Sequence, residues 1–272
     1  LIITLLISSW STVFLRLWGR IRITKSPGWD DTLMVLTLML FTCYCAFISV
    51  IISLGGFSYV PNFTAIKRTI LHVQLSEVFY ILTTTTLKIS LGLFFLRVLT
   101  KRWQRRIFHT ILWVSACYGF FYVFIAIFQC GPPAQLLPSL MKGSLKCLPT
   151  GFLLFTGYLY GIICVVADWI FVLIPIFVLI ESDMDSRSKV SVSIIMALGA
   201  VGSISAILRM VYLKGLLLSG DFITDAPTAT IWATAEPGTG ITAASLATLR
   251  PLFRKVKEGV RSKIASSNLS KS

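Results

Sequence analysis

Five ionisable residues stand inside stretches that are otherwise apolar: Glu77 and Lys88 in SEVFYILTTTTLKISLGLFFLRV (76 to 98), Asp168 in ADWIFVLIPI, Arg209 in LRMVY and Glu236 in IWATAEPGTG. A charge at mid-bilayer costs several kcal/mol, so such groups pair with one another and are functional candidates by default. Glu77 and Lys88 are eleven positions apart, about 20° from eclipsed on a helix but roughly 16 Å apart along it. They share a face and cannot meet. Depth counted from the ends of the spans predicts two layers: an outer pair of Glu77 with Arg209, and a central cluster of Lys88 with Asp168, Glu236 or both. Three chemistries are open to such an arrangement: a clamp between helices, a polar network that responds to a ligand, and catalysis or ion conduction. Trp169, Trp232 and the run from Thr83 to Thr86 would line a small polar and aromatic cavity around it. Packing between helices explains the tryptophans equally well.

The elements that must position these groups are membrane spans. The chain has 272 residues with a mean hydropathy of +0.83, 56% hydrophobic and 13% charged, too apolar for a soluble domain. At about 20 apolar residues per crossing, seven spans are expected: 1 to 18, 31 to 54, 73 to 98, 108 to 129, 151 to 180, 190 to 213 and 227 to 249. The expected architecture is an all-α bundle of seven transmembrane helices over residues 1 to 250, followed by a basic tail, 251 to 272. The first span meets Arg16 early and begins without an initiator Met, which points to a missing N-terminal segment. A signal peptide is the weaker reading, because no basic n-region or small-residue cleavage site precedes Arg16.

A net charge of +14 would point to nucleic acid in a soluble protein, but here most basic residues lie between apolar stretches. They act as topology signals beside an anionic leaflet, and nucleic acid is not an expected partner. Eighteen basic residues fall in loops on one side (16 to 25, 97 to 106, 187 to 189, 250 to 271) and five on the other. The expected orientation therefore has the N-terminus outside and the C-terminus in the cytoplasm. Cys130 and Cys147 flank an expected outer loop, where a disulfide between them is favoured over free thiols. Cys43, Cys45, Cys117 and Cys164 read as small buried apolar residues. NFT at Asn62 is a glycosylation acceptor on the outer side, and NLS at Asn268 would be cytoplasmic and silent.

The seventh span is rich in Ala, Thr, Gly and Ser, which suits a helix packed inside the bundle. Pro237 beside Glu236 predicts a kink, read either as the mark of a cavity or as a plain structural bend. In the tail, Phe253, Val256, Val260 and Ile264 recur at helical spacing, which fits a short surface helix or a solvated basic segment. His72 and His109 lie at opposite ends of their spans, and no His, Cys and carboxylate cluster has metal-ligand spacing. No metal, cofactor or catalytic set is expected.

GWDD (28 to 31), SEVFYILTTTTLKISLGLFFLR (76 to 97), FQC (128 to 130), ADWIFVLIPI (167 to 176), LRMVY (208 to 212) and IWATAEPGTGITAASLATLRPLF (231 to 253) occur in this order and spacing. Together they resemble the fungal rhodopsin-domain integral membrane proteins, which include pathogenicity-associated receptor-like proteins and those named after the satratoxin cluster. The resemblance implies a GPCR-like architecture and a receptor-like role, sensing a small or apolar ligand within the bundle, with a cytoplasmic signalling partner. It does not imply light sensing, since residues 225 to 249 contain no Lys for a retinal Schiff base. The alternative is a membrane-embedded tailoring enzyme or accessory protein of a secondary-metabolite pathway, with Asp168, Glu236 or Glu77 as general acid. The expected home is the plasma membrane or an endomembrane, and the partners are the bilayer and an unidentified small molecule.

Overall fold

The computed structural model describes residues 1–24, 28–55, 63–99, 101–129, 148–180, 197, 199–212 and 222–269, with the side chains of 23, 24, 63–67, 98, 150, 175–180, 222–225 and those beyond Leu249 outside that description. Cys130, Cys147 and Asn62 also lie outside it. Among the described residues there are seven α-helices and no strands. They are α1 (Ile2–Trp18), α2 (Trp29–Ser53), α3 (Phe63–Val98), α4 (Arg102–Phe128), α5 (Thr150–Ile180), α6 (Gly199–Tyr212) and α7 (Phe222–Leu269). Five, α1 to α5, are long and apolar enough to cross a membrane. The chain is a multi-pass integral membrane protein. Helix α7 misses that standard because it is rich in Thr, Ser, Gly and Ala rather than large aliphatic residues, and its inner face is buried at Ala235, Ile241, Ala244, Ser245 and Thr248.

Local chemistry sets the helix ends. Helix α1 passes into a π-helical turn, Gly19–Thr24, and α2 begins at Trp29 after an extended Gly28. Asp31 reaches back to accept the Gly28 N–H at 3.3 Å. With Asp30 it also sets negative charge against the helix N-terminus. Gly55, with φ of +76°, follows α2 in a left-handed conformation that costs glycine nothing.

Helix α3 is the centre of the bundle and packs against α2, α4, α5 and α7. Its 36 residues span about 54 Å, more than the bilayer core requires. Thr83, Thr84, Thr85 and Thr86 are all buried, and four successive residues point to nearly every side of a helix. Gly119 of α4 allows a close approach here: a Cβ on it would lie 2.3 Å from Thr85 Oγ1. Helix α1 lies on α7, where Ser9 donates to the Gly238 carbonyl at 3.4 Å.

Two differences from the expected elements stand out. The sequence-based reading gives the tail a helix of its own, whereas the backbone helix of α7 runs through Pro237 and on to Leu269 without a break. Cys45 and Cys164 are buried as expected, but Cys43 and Cys117 are exposed. They fall on the outward sides of α2 and α4, where bilayer hydrocarbon accepts a small apolar thiol as readily as a core does.

Candidate functional site: buried charges beside a small cavity

Four helices bring polar side chains to one region at helical spacing. Glu77, Tyr80, Thr84 and Lys88 recur every three or four residues along α3, as do Tyr160, Cys164 and Asp168 on α5, while Gly199, Gly202 and Arg209 on α6 and Glu236, Gly240 and Ala247 on α7 follow at intervals of three, four or seven, which keep to one helix face. Lys88 is 4% exposed. Its Nζ donates to Asp168 Oδ1 and, at 3.4 Å, to the Cys164 carbonyl. This is the central pair that the sequence predicts.

Glu236 accepts a hydrogen bond at Oε2 from Tyr80 Oη at 2.5 Å. Arg209 lies over the Tyr80 ring, 4.7 Å from its centroid, with Nε 3.9 Å from Glu236 Oε2. The arginine expected to pair with Glu77 therefore turns to Glu236. Glu77 instead accepts from Tyr122 Oη at 3.4 Å, although it stays within the field of Arg209. Depth fixes only the height of a Cα, and a long guanidinium side chain can reach either of two buried carboxyls from one Cα position. Three polar atoms here are buried without a hydrogen-bond partner: Glu236 Oε1, Arg209 Nε and Arg209 Nη2.

A cavity of about 80 Å³ adjoins this network between α3, α5, α6 and α7. Lys88, Asp168, Glu236 and Thr84 supply its polar wall, and residues such as Leu91, Phe171, Val172 and Ala247 the apolar one. Neither tryptophan lines it. Trp169 is 46% exposed, because the residue after an inward-facing Asp168 is rotated about 100° around the helix. Trp232 is half-buried on α7. The threonine run contributes through Thr84, whose hydroxyl is 2.6 Å from Tyr160 Oη. Tyr160 in turn stacks on Tyr122, with centroids 5.0 Å apart. Among the described residues no group of three His, Cys, Asp or Glu is arranged to hold a metal.

A second charged cluster, at the α1–α2 turn, was not foreseen from the sequence. Arg16, only 1% exposed, donates through Nε to Asp31 at 2.8 Å and through Nη2 to Asp30 at 2.9 Å. Its Nη1 reaches the Ala244 carbonyl of α7 at 3.4 Å. Arg20, one turn on, meets Asp30 at 3.1 Å, and the half-exposed Arg97 of α3 meets it at 3.6 Å. Ser90 of α3 donates to the Asp30 carbonyl at 2.7 Å. Sequence reasoning counted these arginines as loop charges. The available signal was the face shared by Ser9, Val13 and Arg16, which carries Arg16 inward.

The family model for the fungal rhodopsin domain matches residues 15–255. A SAT4 family membrane protein from Emericella nidulans is 24% identical over 200 residues, which is 72% of this chain and 49% of that protein. The chain thus spans about half the length of that relative. No solved structure matches at a significant level.

Proposed function

Because the chain belongs to the fungal rhodopsin domain family, we propose that it works as a receptor-like membrane protein that takes a small ligand into the cavity between α3, α5, α6 and α7. One observation carries this reading: the cavity touches Glu236, which is 4% exposed and keeps Oε1 without a hydrogen-bond partner, while Arg209, held to it as an ion pair at 3.9 Å, leaves Nε and Nη2 without hydrogen bonds. Each unmet buried group costs about 1–3 kcal/mol. A clamp between helices would satisfy its own atoms, whereas a ligand that offers a polar group recovers that cost on binding.

At about 80 Å³ the cavity is smaller than the roughly 300–1,000 Å³ of a drug-sized site. The ligand is therefore compact or enters by one end, with an apolar remainder against Phe171, Val172 and Ala247. Four helices border the cavity, so its occupation alters how they fit together. The expected excess of basic loop charges on one side gives that rearrangement a cytoplasmic face on which a signalling partner could read it.

The test is photolabelling in membranes with a butyl-diazirine probe, mapped by peptide mass. Adducts are expected on Phe171, Val172 or Ala247, and they should be lost in Ala247→Leu, which fills the cavity. Labelling confined to outward-facing residues such as Phe155 and Ile162 would refute the reading.

A further inference from the structure

We propose that Arg209 and Glu236 form a latch: when the cavity is empty, α6 closes on α7 and the two side chains make a bidentate ion pair, and a molecule in the cavity holds that pair apart. This rests on the reading of the cavity as a ligand site and adds how occupancy moves a helix. The first argument is the match between the unmet atoms. Among the described residues, Arg209 has no hydrogen bond at Nε or Nη2, and Glu236 none at Oε1. Nε and Nη2 lie on one side of the guanidinium, the fork that takes a carboxylate in two parallel bonds. Arg16 uses the same two atoms on Asp31 and Asp30, at 2.8 and 2.9 Å. In Arg209 the fork stands off, with Nε 3.9 Å from Glu236 Oε2. A charge-assisted bond of this kind is about 2.8 Å long, so a movement of about 1 Å would close it.

The second argument is which part is able to move. Tyr80 donates to Glu236 Oε2 at 2.5 Å and carries the guanidinium over its ring, so neither side chain swings across without giving up a contact. The approach is left to the helices. Helix α6 sits tightly on α5: a Cβ on Gly199 would lie 2.7 Å from Val172 Cγ2, a Cβ on Gly161 would lie 2.4 Å from Met210 Sδ, and Tyr158 donates to the Met210 carbonyl at 3.1 Å. Its seam with α7 is slack. A Cβ on Gly202 would meet Thr239 Oγ1 only at 3.7 Å and the Glu236 carbonyl at 3.9 Å, which is room for a methyl group that the glycine does not carry. Helices α5 and α6 therefore approach α7 together.

The third argument is where the cavity lies. Gly199 and Gly202 of α6 and Glu236, Gly240 and Ala247 of α7 all belong to its wall. Drawing that seam together takes volume from a cavity of only about 80 Å³, so closing and occupancy exclude each other. A bound molecule then has different affinities for the two states, which is the condition for shifting an equilibrium between them.

The test uses the full chain in two assays. In mixed micelles, reversible SDS unfolding is followed for the parent, Arg209→Gln, Glu236→Gln and their double, and for the same set built on Ala247→Leu, which fills the cavity and leaves every charge in place. In the parent the two sites should be coupled, so that the double variant's unfolding constant lies roughly three- to tenfold below the product of the single effects. On Ala247→Leu that factor should fall to near one. In membranes, the butyl-diazirine probe at a subsaturating concentration should label Val172 or Ala247 roughly threefold more in Glu236→Gln and in Arg209→Lys than in the parent. Loss of the closed state raises the share of protein able to bind, and a lysine keeps the charge but not the fork. Coupling that is the same with and without Ala247→Leu would show the pair closing by its side chains alone and overturn the proposal. Additive single effects would overturn it too, as would labelling in both variants equal to or below that of the parent. Cavity labelling without the coupling removes the latch and leaves the ligand site; cavity labelling absent from every form removes the ligand reading and the latch that rests on it.

Discussion

Arg16→Met tests whether the ionic junction at the α1–α2 turn holds α1, α2 and α7 together. Methionine keeps much of the apolar stem, so the change removes a charge and three hydrogen bonds without opening a large hole. After it, Asp30 still has Arg20 at 3.1 Å, whereas Asp31 has the Gly28 amide at 3.3 Å and Arg20 only at 3.8 Å. Asp31 is the carboxylate left short. Breaking a buried pair from one side costs about 3–5 kcal/mol in soluble interiors. Polar contacts between membrane helices are worth less, because separated helices find other partners in the bilayer, so the expected loss is about 2–3 kcal/mol. Adding Asp31→Asn to Arg16→Met should recover part of it, with a coupling of about 1 kcal/mol or more, and Asp30→Asn should recover less. The assay is reversible unfolding in mixed micelles by SDS titration, on the parent, the singles and the doubles. A loss below about 0.5 kcal/mol, or strict additivity, would refute the reasoning, since neighbours that share a buried pair do not add.

Two further outcomes follow from particular positions. Gly119→Ala should cost about 1–3 kcal/mol in the same unfolding assay, because its Cβ would meet the buried, branched Thr85 at 2.3 Å from Oγ1 and 2.7 Å from Cγ2; Thr85→Ala in that background should restore most of it. For the proposed orientation, expression in a eukaryotic membrane should give a glycosidase-sensitive shift that Asn62→Gln removes, and a glycan on Asn268 instead would reverse the topology.

Arg209 and Glu236 stand in helices that fall short of the standard for a span, but hydropathy alone exposes Glu77, Lys88 and Asp168, each of which interrupts an apolar run long enough to cross a bilayer. It also finds the Lys88 and Asp168 pair, whose backbone positions fall at similar depth. The partner of Arg209 is beyond it: a span boundary fixes height but neither helix rotation nor the reach of a guanidinium. Arg16 fails for the opposite reason. A basic residue near a helix end is normally a topology signal, and only the buried stripe through Ser9 and Val13 separates an inward arginine from a solvated one. The cavity itself has no linear signature. It is the space left where the glycines and alanines of α6 and α7 face the leucines of α3, and it becomes visible once four helices have been brought together.

The threonine run on α3 bears on how such a bundle could move. The hydroxyls of Thr83, Thr84 and Thr86 each donate to a carbonyl of their own helix, while Thr84 meets Tyr160 and Thr86 accepts from Thr37. Each hydroxyl thus keeps a local acceptor whatever its neighbour does. Helix α3 can act as an axle with lubricated bearings: a small turn or slide exchanges one cross-helix contact for another and strands no donor in the dry interior.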